Sequence, residues 1–326
     1  MIIKPRTIPR TLLQYQALEH RIPADHPKMP LIQENIRKGL AGYKGECALD
    51  YPLSFLPEKK YSILHDVRLQ VDGHFFQIDS ILLSEMFILL IDAKYMAGKL
   101  YFDVRFNQLI QTVDGEEKAY SDPLLQKRYH EEQFNKWLIK NKLPAAPILS
   151  LVVVSNSYTI IQTASENRDL HQNVIHHEYL PFKIKEFEEK LTKPFLTEKE
   201  RRKLGQQLIK QHTTPDYPIL EKLQISQSEL LKGVYCPNCG RLPMKRDYGK
   251  WTCPYCQHIN KDAHVLSLKD YELLIGPTIT NREMQDFLRC PSESICKKLL
   301  RNMELQSMGE NKGRVYVLPQ NEIVFL

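Results

Sequence analysis

Four cysteines form two identical pairs, Cys236-Pro-Asn-Cys239 and Cys253-Pro-Tyr-Cys256, with thirteen residues between the pairs. Each Cys-x-x-Cys loop directs two thiolates at one centre, and two such loops supply the closed sulfur set that a structural zinc ion prefers. Two disulfides or merely buried thiols are the alternatives, but nothing in the sequence indicates an oxidising compartment. The spacing therefore predicts a zinc ribbon over residues 232–262.

Basic residues lie around these cysteines. Arg241, Lys245 and Arg246 fall between the two pairs, against a single Asp247. The segment stays basic even after the negative charge of a zinc tetrathiolate is included. A small basic ribbon favours nucleic acid as a partner, although it indicates no chemistry by itself.

A second set of residues could do chemistry because it lies inside apolar strands. The sequence predicts strands at 75–83 and 87–94, which are apolar at nearly every position, as expected for strands covered on both faces. Asp79, Asp92 and Lys94 interrupt them. Two carboxylates placed together repel each other, and a hard divalent cation such as Mg²⁺ or Mn²⁺ relieves that repulsion. Such a metal polarises a phosphodiester and acidifies a bound water, and the lysine would assist the attacking water.

The register of the two strands decides whether these charges meet. A turn at 84–85 makes Gln77 face Asp92, with Asp79 two positions away on the same side of the sheet. A slip by one residue would separate them. A simple ion pair between Asp92 and Lys94 near solvent is the alternative, and charge placement alone leaves both interpretations open. The cost of burying two acids without a use favours the site.

The flanking sequence predicts the elements that would position this set. Residues 1–56 are expected to be mostly helical, and Ser121 is expected to cap a helix that runs through Leu138. Further strands are predicted at 61–67, 99–102, 109–113, 148–154, 159–162 and 174–177, and two helices within 181–212. A sheet flanked by helices from residue 1 to about residue 190 is one α/β domain.

The C-terminal residues 263–326 follow the order of a winged helix-turn-helix. Thr280 or Asn281 would cap a first helix, Ser292 or Ser294 would cap a second, and a glycine-rich hairpin follows. If this module binds DNA, its face is the second helix and the wing. The basic residues there are Lys297, Lys298, Arg301, Lys312 and Arg314. A protein-docking module with solvated basic residues is the alternative.

Length and composition limit the remaining possibilities. The 326 residues allow about two or three domains, and the net charge of +6 is too mild to demand an anionic partner. The N-terminus has no apolar signal-peptide core, and the longest apolar run, 81–91, is far shorter than a membrane span. The other cysteines have no pairing spacing: Cys47, Cys290 and Cys296. These features predict a soluble, cytoplasmic protein without a membrane partner.

Four blocks of the sequence resemble, in order and spacing, the successive motifs of the nuclease-related domain (NERD), which belongs to the PD-(D/E)xK nuclease superfamily. The blocks are Gly42-Tyr43-Lys44-Gly45-Glu46, Phe76-Gln77-Ile78-Asp79-Ser80, Ile91-Asp92-Ala93-Lys94-Tyr95 followed by Gly98, and Asp122-Pro123-Leu124-Leu125-Gln126. The resemblance covers roughly residues 10–150.

This resemblance implies a restriction-endonuclease-like mixed sheet flanked by helices. The catalytic residues that it implies are Glu46, Asp79, Asp92, Lys94 and Gln126, with Gln77 as a lesser candidate. The three acids would hold Mg²⁺ or Mn²⁺, and the glutamine would be an accessory polar group. Two positions depart from the family pattern, because Asp92 stands where Glu is commoner and Ile78 where the superfamily name has Pro.

Together these patterns predict a metal-dependent deoxyribonuclease that a zinc ribbon and a helix-turn-helix bring to DNA, with RNA not excluded. The predicted domains are a nuclease-like domain at 1–190, a helical linker at 191–231, the ribbon at 232–262 and the winged module at 263–326. A DNA-binding regulator with a weak or inactive nuclease fold and a protein-docking assembly factor are the alternatives. The sequence does not indicate an oligomeric state.

Overall fold

The computed structural model describes residues 1–215, 217–310 and 313–319. Its contacts group the chain into two units. The first unit comprises residues 1–7 and 40–215, and the second comprises residues 8–39 and the described residues after position 216. The four predicted domains stay a prediction, since this grouping follows contacts and not independent folding.

The described residues form helices and strands in a mixed order. The helices are α1 (Arg10–Arg21), α2 (Met29–Cys47), α3 (Asp50–Ser54), α4 (Pro123–Lys140), α5 (Leu170–Asn173), α6 (Leu180–Lys190), α7 (Glu198–Gln211), α8 (Ile219–Leu223), α9 (Ala263–Leu274), α10 (Asn281–Leu288) and α11 (Glu293–Asn302). The strands are β1 (Ile2–Lys4), β2 (Ser62–Val71), β3 (His74–Leu83), β4 (Ile88–Lys94), β5 (Lys99–Asp103), β6 (Gln108–Val113), β7 (Glu116–Ser121), β8 (Ile148–Val154), β9 (Ile160–Thr163), β10 (Val174–His176), β11 (Lys245–Asp247), β12 (Lys250–Thr252), β13 (Ile259–Asn260), β14 (Thr278–Thr280), β15 (Ser307–Met308) and β16 (Val315–Val317).

The main sheet of the first unit has the strand order β1-β2-β3-β4-β8-β10. It is mixed, because β2, β3 and β4 pair antiparallel whereas β4 pairs parallel with β8. Apolar side chains of α4 and α7 share one core with strands β2 to β4, and those of α3 and α6 share another with β2 to β4 and β8. This helix-flanked mixed sheet confirms the predicted α/β fold class.

The N-cap of α4 differs from the prediction, and α7 packs more closely than its sequence indicates. Asp122, not Ser121, is the N-cap of α4, because its Oδ1 accepts the amide of Leu124 at 2.9 Å. Helix α7 lies inside the predicted linker, yet its Leu204 and Leu208 are buried in the core beneath β2 and β3. Hydrophobic spacing in a charged helix is a weak signal, so the sequence underestimated the packing of α7.

The connection between β3 and β4 sets the register of the acids. Residues 84–87 form the turn, in which the Ser84 amide donates to the Phe87 carbonyl at 3.0 Å. The predicted turn at 84–85 is therefore wrong by two residues in register, and Ser80 pairs with Ile91. A shift of two residues preserves which side chains share a face. The observed register places Asp79 on β3 opposite Asp92 on β4, one residue beyond the last strand pair, Ser80 with Ile91.

Strand β2 carries a discontinuity opposite Asp79. Asp66 has φ of 52°, the left-handed region that few residues other than glycine adopt. Leu64 and Val67 lie in the same core on either side of it, so the alternation of β2 reverses at this residue. The pairs on both sides of Asp66 keep one register, which makes Asp66 and Asp79 equivalent positions on β2 and β3.

A smaller sheet completes the first unit, with the order β7-β6-β5-β9. Strand β7 is exposed at every position, which is why its polar sequence gave no strand signal. No helix among the described residues is long and apolar enough to cross a membrane.

The second unit has strands in the segment predicted as a ribbon, and helices and strands in the segment predicted as a winged helix-turn-helix. Strands β11, β12 and β13 form an antiparallel sheet, and Tyr248 and Gly249 both have positive φ in the two-residue turn between the first two strands. Helices α10 and α11 are followed by β15 and β16, with Thr280 and Ser292 as N-caps. Lys312 of the predicted wing lies outside the described residues. Ribbon and helix pair share one core, which includes Trp251.

Candidate functional site

Helix α2 brings Glu46 to the open end of the main sheet. A Cβ atom at the neighbouring Gly45 would lie 2.3 Å from Cβ of Tyr95 and 2.9 Å from Oγ of Ser155. Only glycine therefore lets α2 approach the ends of β4 and β8 this closely. Glu46 occupies the last turn of the helix, with its side chain 19% exposed.

Asp79 and Asp92 lie where β3 and β4 separate. Beyond the pair of Ser80 with Ile91, the Ala93 amide donates to Oδ2 of Asp79 at 2.8 Å and not to the neighbouring backbone. Burial, and then the charge of Asp92, raise the pKa of Asp79 to about 7. The two carboxylates are thus close enough to repel each other in a poorly solvated site.

Lys94 joins this pair of acids to helix α4. Its Nζ lies 2.7 Å from Oδ2 of Asp92 and donates to Oε1 of Gln126 at 3.0 Å. His130 lies one helical turn after Gln126, where burial is the main cause of its lowered pKa and the charges of Asp92 and Lys94 act on it in opposite directions. The lysine is therefore held between a carboxylate and an amide oxygen, both of which can only accept its protons.

Glu46 is coupled to the same acids. Burial, and then the charges of Asp79 and Asp66, raise the pKa of Glu46 to about 8 against the opposing effect of Arg6. A carboxyl group with this pKa holds a proton near neutral pH unless a cation replaces it. The repulsion among Glu46, Asp66, Asp79 and Asp92 is the property expected of a cation site.

Arg6 is the buried counter-ion of this cluster, and sequence reasoning missed it. Its Nη1 donates to Oε2 of Glu46 at 2.9 Å and lies 3.7 Å from Oδ1 of Asp66. Its Nη2 lies 3.5 Å from Oδ1 of Asp50 and donates to Nδ1 of His65 at 2.9 Å. A lone arginine near the N-terminus carries no motif, so no sequence signal could have placed it here.

His65 accepts from this arginine and is therefore neutral. A guanidinium group only donates, which leaves Nδ1 of His65 without a proton. Burial, and then the charges of Arg6 and Lys4, lower the pKa of His65 to about 3. The imidazole positions Arg6 and adds no positive charge to the cluster.

The structure brings most of the predicted catalytic residues together. Asp79, Asp92, Lys94 and Gln126 are linked by contacts or by charge, and Glu46 is coupled to them through Asp79. Gln77 is exposed, and its recorded strand pairing is with Arg68 on β2. Asp66 and Asp50 are additional acids that the sequence analysis did not select. The pairing of Asp66 with Asp79 depends on the β2–β3 register, which no motif specified.

The donor set suits a hard divalent cation, although its oxygen atoms are not gathered around one point. Carboxylates in mutual repulsion are the ligands that Mg²⁺ and Mn²⁺ prefer. Among the described residues, the group of three or more ligand atoms within 4.8 Å of one another is formed by the cysteines, not by these acids. Since Oε2 of Glu46 is held by Arg6, a cation at Asp79 and Asp92 would need a small movement of Glu46 to recruit it.

The four cysteines form the second candidate metal centre. Sγ of Cys236 lies 3.6 Å from Sγ of Cys256, and Sγ of Cys239 lies 3.6 Å from Sγ of Cys253. Tetrahedral zinc with bonds of about 2.3 Å separates its sulfur ligands by roughly 3.8 Å, whereas a disulfide needs about 2 Å. The observed spacing fits zinc and excludes disulfides in this structure.

Backbone amides prepare these sulfur atoms for a metal. The His258 amide is the largest cause of the lowered pKa of Cys256, at about 6. The side-chain amide of Asn238 also contacts Sγ of Cys256, at 3.6 Å. Zinc binds the thiolate form of cysteine, so these contacts favour the charge state that the metal requires.

The basic residues predicted to contact nucleic acid lie in the second unit. All but one of them are exposed: Arg241, Lys245, Lys297, Lys298, Arg301 and Arg314. The exception is Arg246, whose guanidinium lies 4.9 Å above the Trp251 ring and donates to the Lys261 carbonyl. Arg246 therefore packs on the ribbon core, which makes it a weaker candidate for phosphate contact.

Comparison with known proteins identifies one segment of the chain. Residues 41–155 match the family model of the nuclease-related domain, NERD. This segment contains α3, α4 and β2 to β8, and all the acids described above from Glu46 onward. No curated protein and no solved structure matches the chain. The chain thus carries a nuclease-related domain at residues 41–155, with its acidic cluster at the open end of the main sheet.

Proposed function

We propose that this protein hydrolyses phosphodiester bonds of nucleic acid, DNA in the first place, with a divalent metal ion. The observation that supports this most is the convergence of Asp79, Asp92, Lys94 and Gln126 inside a nuclease-related domain. Asp79 and Asp92 would hold Mg²⁺ or Mn²⁺, and Glu46 would join them only after moving away from Arg6. When bound, the metal would polarise the phosphodiester and acidify a water molecule.

The residues of the chain supply the other parts of the reaction. Asp92 and Gln126 hold Nζ of Lys94 at 2.7 and 3.0 Å, and from this position the lysine would assist the attacking water. The same positive charge would stabilise the negative charge that develops on the phosphorane. The Ala93 amide fixes Asp79 through its Oδ2, which leaves the other carboxylate oxygen as the candidate metal ligand.

The second unit would bring the enzyme to its substrate. We attribute one structural zinc ion to the four cysteines, and phosphate contacts to the exposed basic residues of the ribbon and of α11. Thiols that hold zinc must stay reduced, which favours the cytoplasm as the location.

A regulator with little nuclease activity is the second candidate. It is favoured by the acids of the cluster, which are not gathered within metal-binding distance, and by the arginine that holds Glu46. Cleavage assays separate the two functions. Purified protein would be incubated with linear, circular and single-stranded DNA and with RNA, in Mg²⁺, Mn²⁺ or EDTA. Metal-dependent cleavage that Asp79→Ala abolishes supports the nuclease, and DNA binding without any cleavage supports the regulator.

A further inference from the structure

The acidic cluster consists of two halves that are neutralised differently. In one half, Asp79 and Asp92 have Lys94 beside them. In the other half, three carboxylates contact the guanidinium group of Arg6, whose side chain is only 4% exposed. The contacting oxygens belong to Glu46, Asp50 and Asp66, at 2.9, 3.5 and 3.7 Å.

Arg6 is a buried cation held in a fixed position, unlike the arginine of an ion pair at the surface. His65 and Ser80 accept from the same Nη2, so this end of the guanidinium group is fixed from the sheet side. Its Nε is buried and has no hydrogen-bond partner among the described residues. A buried guanidinium group is costly unless its charge is paired, and three carboxylates pair that of Arg6.

Charge counting shows what Arg6 supplies. The five acids of the cluster exceed Arg6 and Lys94 by three charges when all are ionised. One divalent cation leaves this balance near neutral. Without the arginine, one such ion would leave a larger excess, and two ions would be needed. Nuclease sites with two metals gather acids around both ions.

We propose that Arg6 takes the position of a second metal ion, so that the site binds a single divalent cation at Asp79 and Asp92. This inference rests on the metal dependence of the proposed function and assigns Arg6 a positioning role. The guanidinium group holds Glu46, Asp50 and Asp66 together with a planar set of donors that never loses its charge. Only the Asp79 and Asp92 half then depends on metal.

Counting bound metal tests the proposal without any substrate. The full chain, with zinc in its ribbon, is titrated with Mn²⁺ by equilibrium dialysis. The wild type and Arg6→Lys should each bind about one Mn²⁺ per chain, and Arg6→Met about two, because the apolar side chain leaves three oxygen ligands without a cation. The same number of ions in Arg6→Met and the wild type, or two ions in the wild type, would overturn the proposal.

Arg201 provides the matched control. It is also a buried arginine of the first unit with an unpartnered Nε, but it donates to Oγ of Ser62 and to the Lys59 carbonyl. Arg201→Met should lose stability while keeping the wild-type number of Mn²⁺ ions. If Arg6→Met is less stable than the wild type, Mn²⁺ should raise its Tm by several degrees more than that of Arg201→Met. An equal shift in both variants would count against the proposal.

The outcome is independent of catalysis. A wild type that binds one Mn²⁺ but cleaves nothing would end the proposed function and leave the role of Arg6 standing. A wild type that cleaves DNA with two bound Mn²⁺ ions would end the proposed role of Arg6 and leave the proposed function standing.

Discussion

The four sulfur atoms of the second unit lie within 4.8 Å of one another, whereas the acids of the first unit do not meet around one point. The sulfur ligands come from residues 236–256, and two short loops fix their positions. The acids come from α2, α3, β2, β3 and β4 and are spread over residues 46–92. A site assembled by local spacing is complete once its loops form, but a site assembled from distant strands depends on packing, register and counter-ions.

The cysteines and the acids also differ in how their negative charges are stabilised. Among the cysteines, backbone amides favour at least one thiolate. The acids have Arg6 and Lys94, which partly neutralise them before any metal binds. We therefore expect zinc to contribute folding free energy, and Mg²⁺ or Mn²⁺ to contribute mainly chemistry.

The largest expected effect is the loss of zinc. Cys253→Ser should abolish zinc binding and remove about 10 kcal/mol of metal-linked folding free energy from the ribbon. Because Cys253 and Trp251 share a core with Met284 and Leu299, the helix pair should lose protection too. Elemental analysis and hydrogen exchange would measure both effects.

Cys47→Ser is the matched control for this prediction, since Cys47 is half-buried in the first unit and far in sequence from the ribbon. It should retain one zinc per chain. A zinc-free Cys253→Ser protein with an unchanged exchange pattern would show that the ribbon folds without its metal.

The next effect concerns cleavage. Asp79→Ala and Asp92→Ala should each lower the cleavage rate by about a thousandfold or more, because the metal that polarises the phosphodiester is lost. Lys94→Ala should also cleave poorly but keep its metal affinity or raise it, since a nearby positive charge has gone. Rates and Mn²⁺ binding are measured on the same preparations.

Two further variants sharpen that result. Asp92→Glu should keep measurable cleavage, because the carboxylate remains and is only one methylene longer. Asp72→Ala removes an exposed acid at the β2–β3 turn and should behave like the wild type. Robust cleavage by both Asp79→Ala and Lys94→Ala would contradict the proposed site.

Local signals in the sequence predicted much of this molecule. The two Cys-x-x-Cys loops specify the ribbon, and the apolar runs of β3, β4 and β8 specify central strands. The caps Thr280 and Ser292 were among the predicted alternatives. All these features depend on residues that are near one another in the chain.

Long-range packing explains what the sequence could not predict. The register of β3 and β4 depended on whether the turn has two or four residues, and Ser84 favours the longer turn through its own hydrogen bonds. Asp66 joins the acids because β2 reverses its alternation there. Arg6 reaches them through the pairing of β1 with β2, a contact that no local pattern encodes.

A smaller effect should appear as a dependence of stability on pH. The pKa of Asp79 is raised to about 7 and that of Glu46 to about 8, above their unfolded values. Their contribution to the free energy of unfolding is fully present below the pKa values of the unfolded state and is lost as the pH rises toward 8. Without Mg²⁺ or Mn²⁺, the free energy of unfolding should fall by about 1 kcal/mol per pH unit for each such group.

Urea unfolding at pH 6 and pH 8, with the zinc ion retained, would measure this dependence. Glu46→Gln should flatten it, and added Mg²⁺ should reduce it because the cation replaces the protons. Glu132→Gln changes an exposed acid on α4 and should leave the slope as it is in the wild type. A stability that rises between pH 6 and pH 8 would contradict the coupling of these acids.

The smallest expected effect concerns the second unit and its exposed basic residues. The double variant Lys297→Glu and Lys298→Glu should weaken DNA binding by about tenfold. The slope of log affinity against log salt concentration should fall by about two, since fewer counterions are released when two phosphate contacts are lost. Lys136→Glu with Lys185→Glu places the same charge change on exposed positions of the first unit and should change affinity less. Unchanged affinity and salt slope in the α11 variant would instead favour a protein partner for this module. DNA would then be bound by the first unit alone, and the first and second units would bind different ligands.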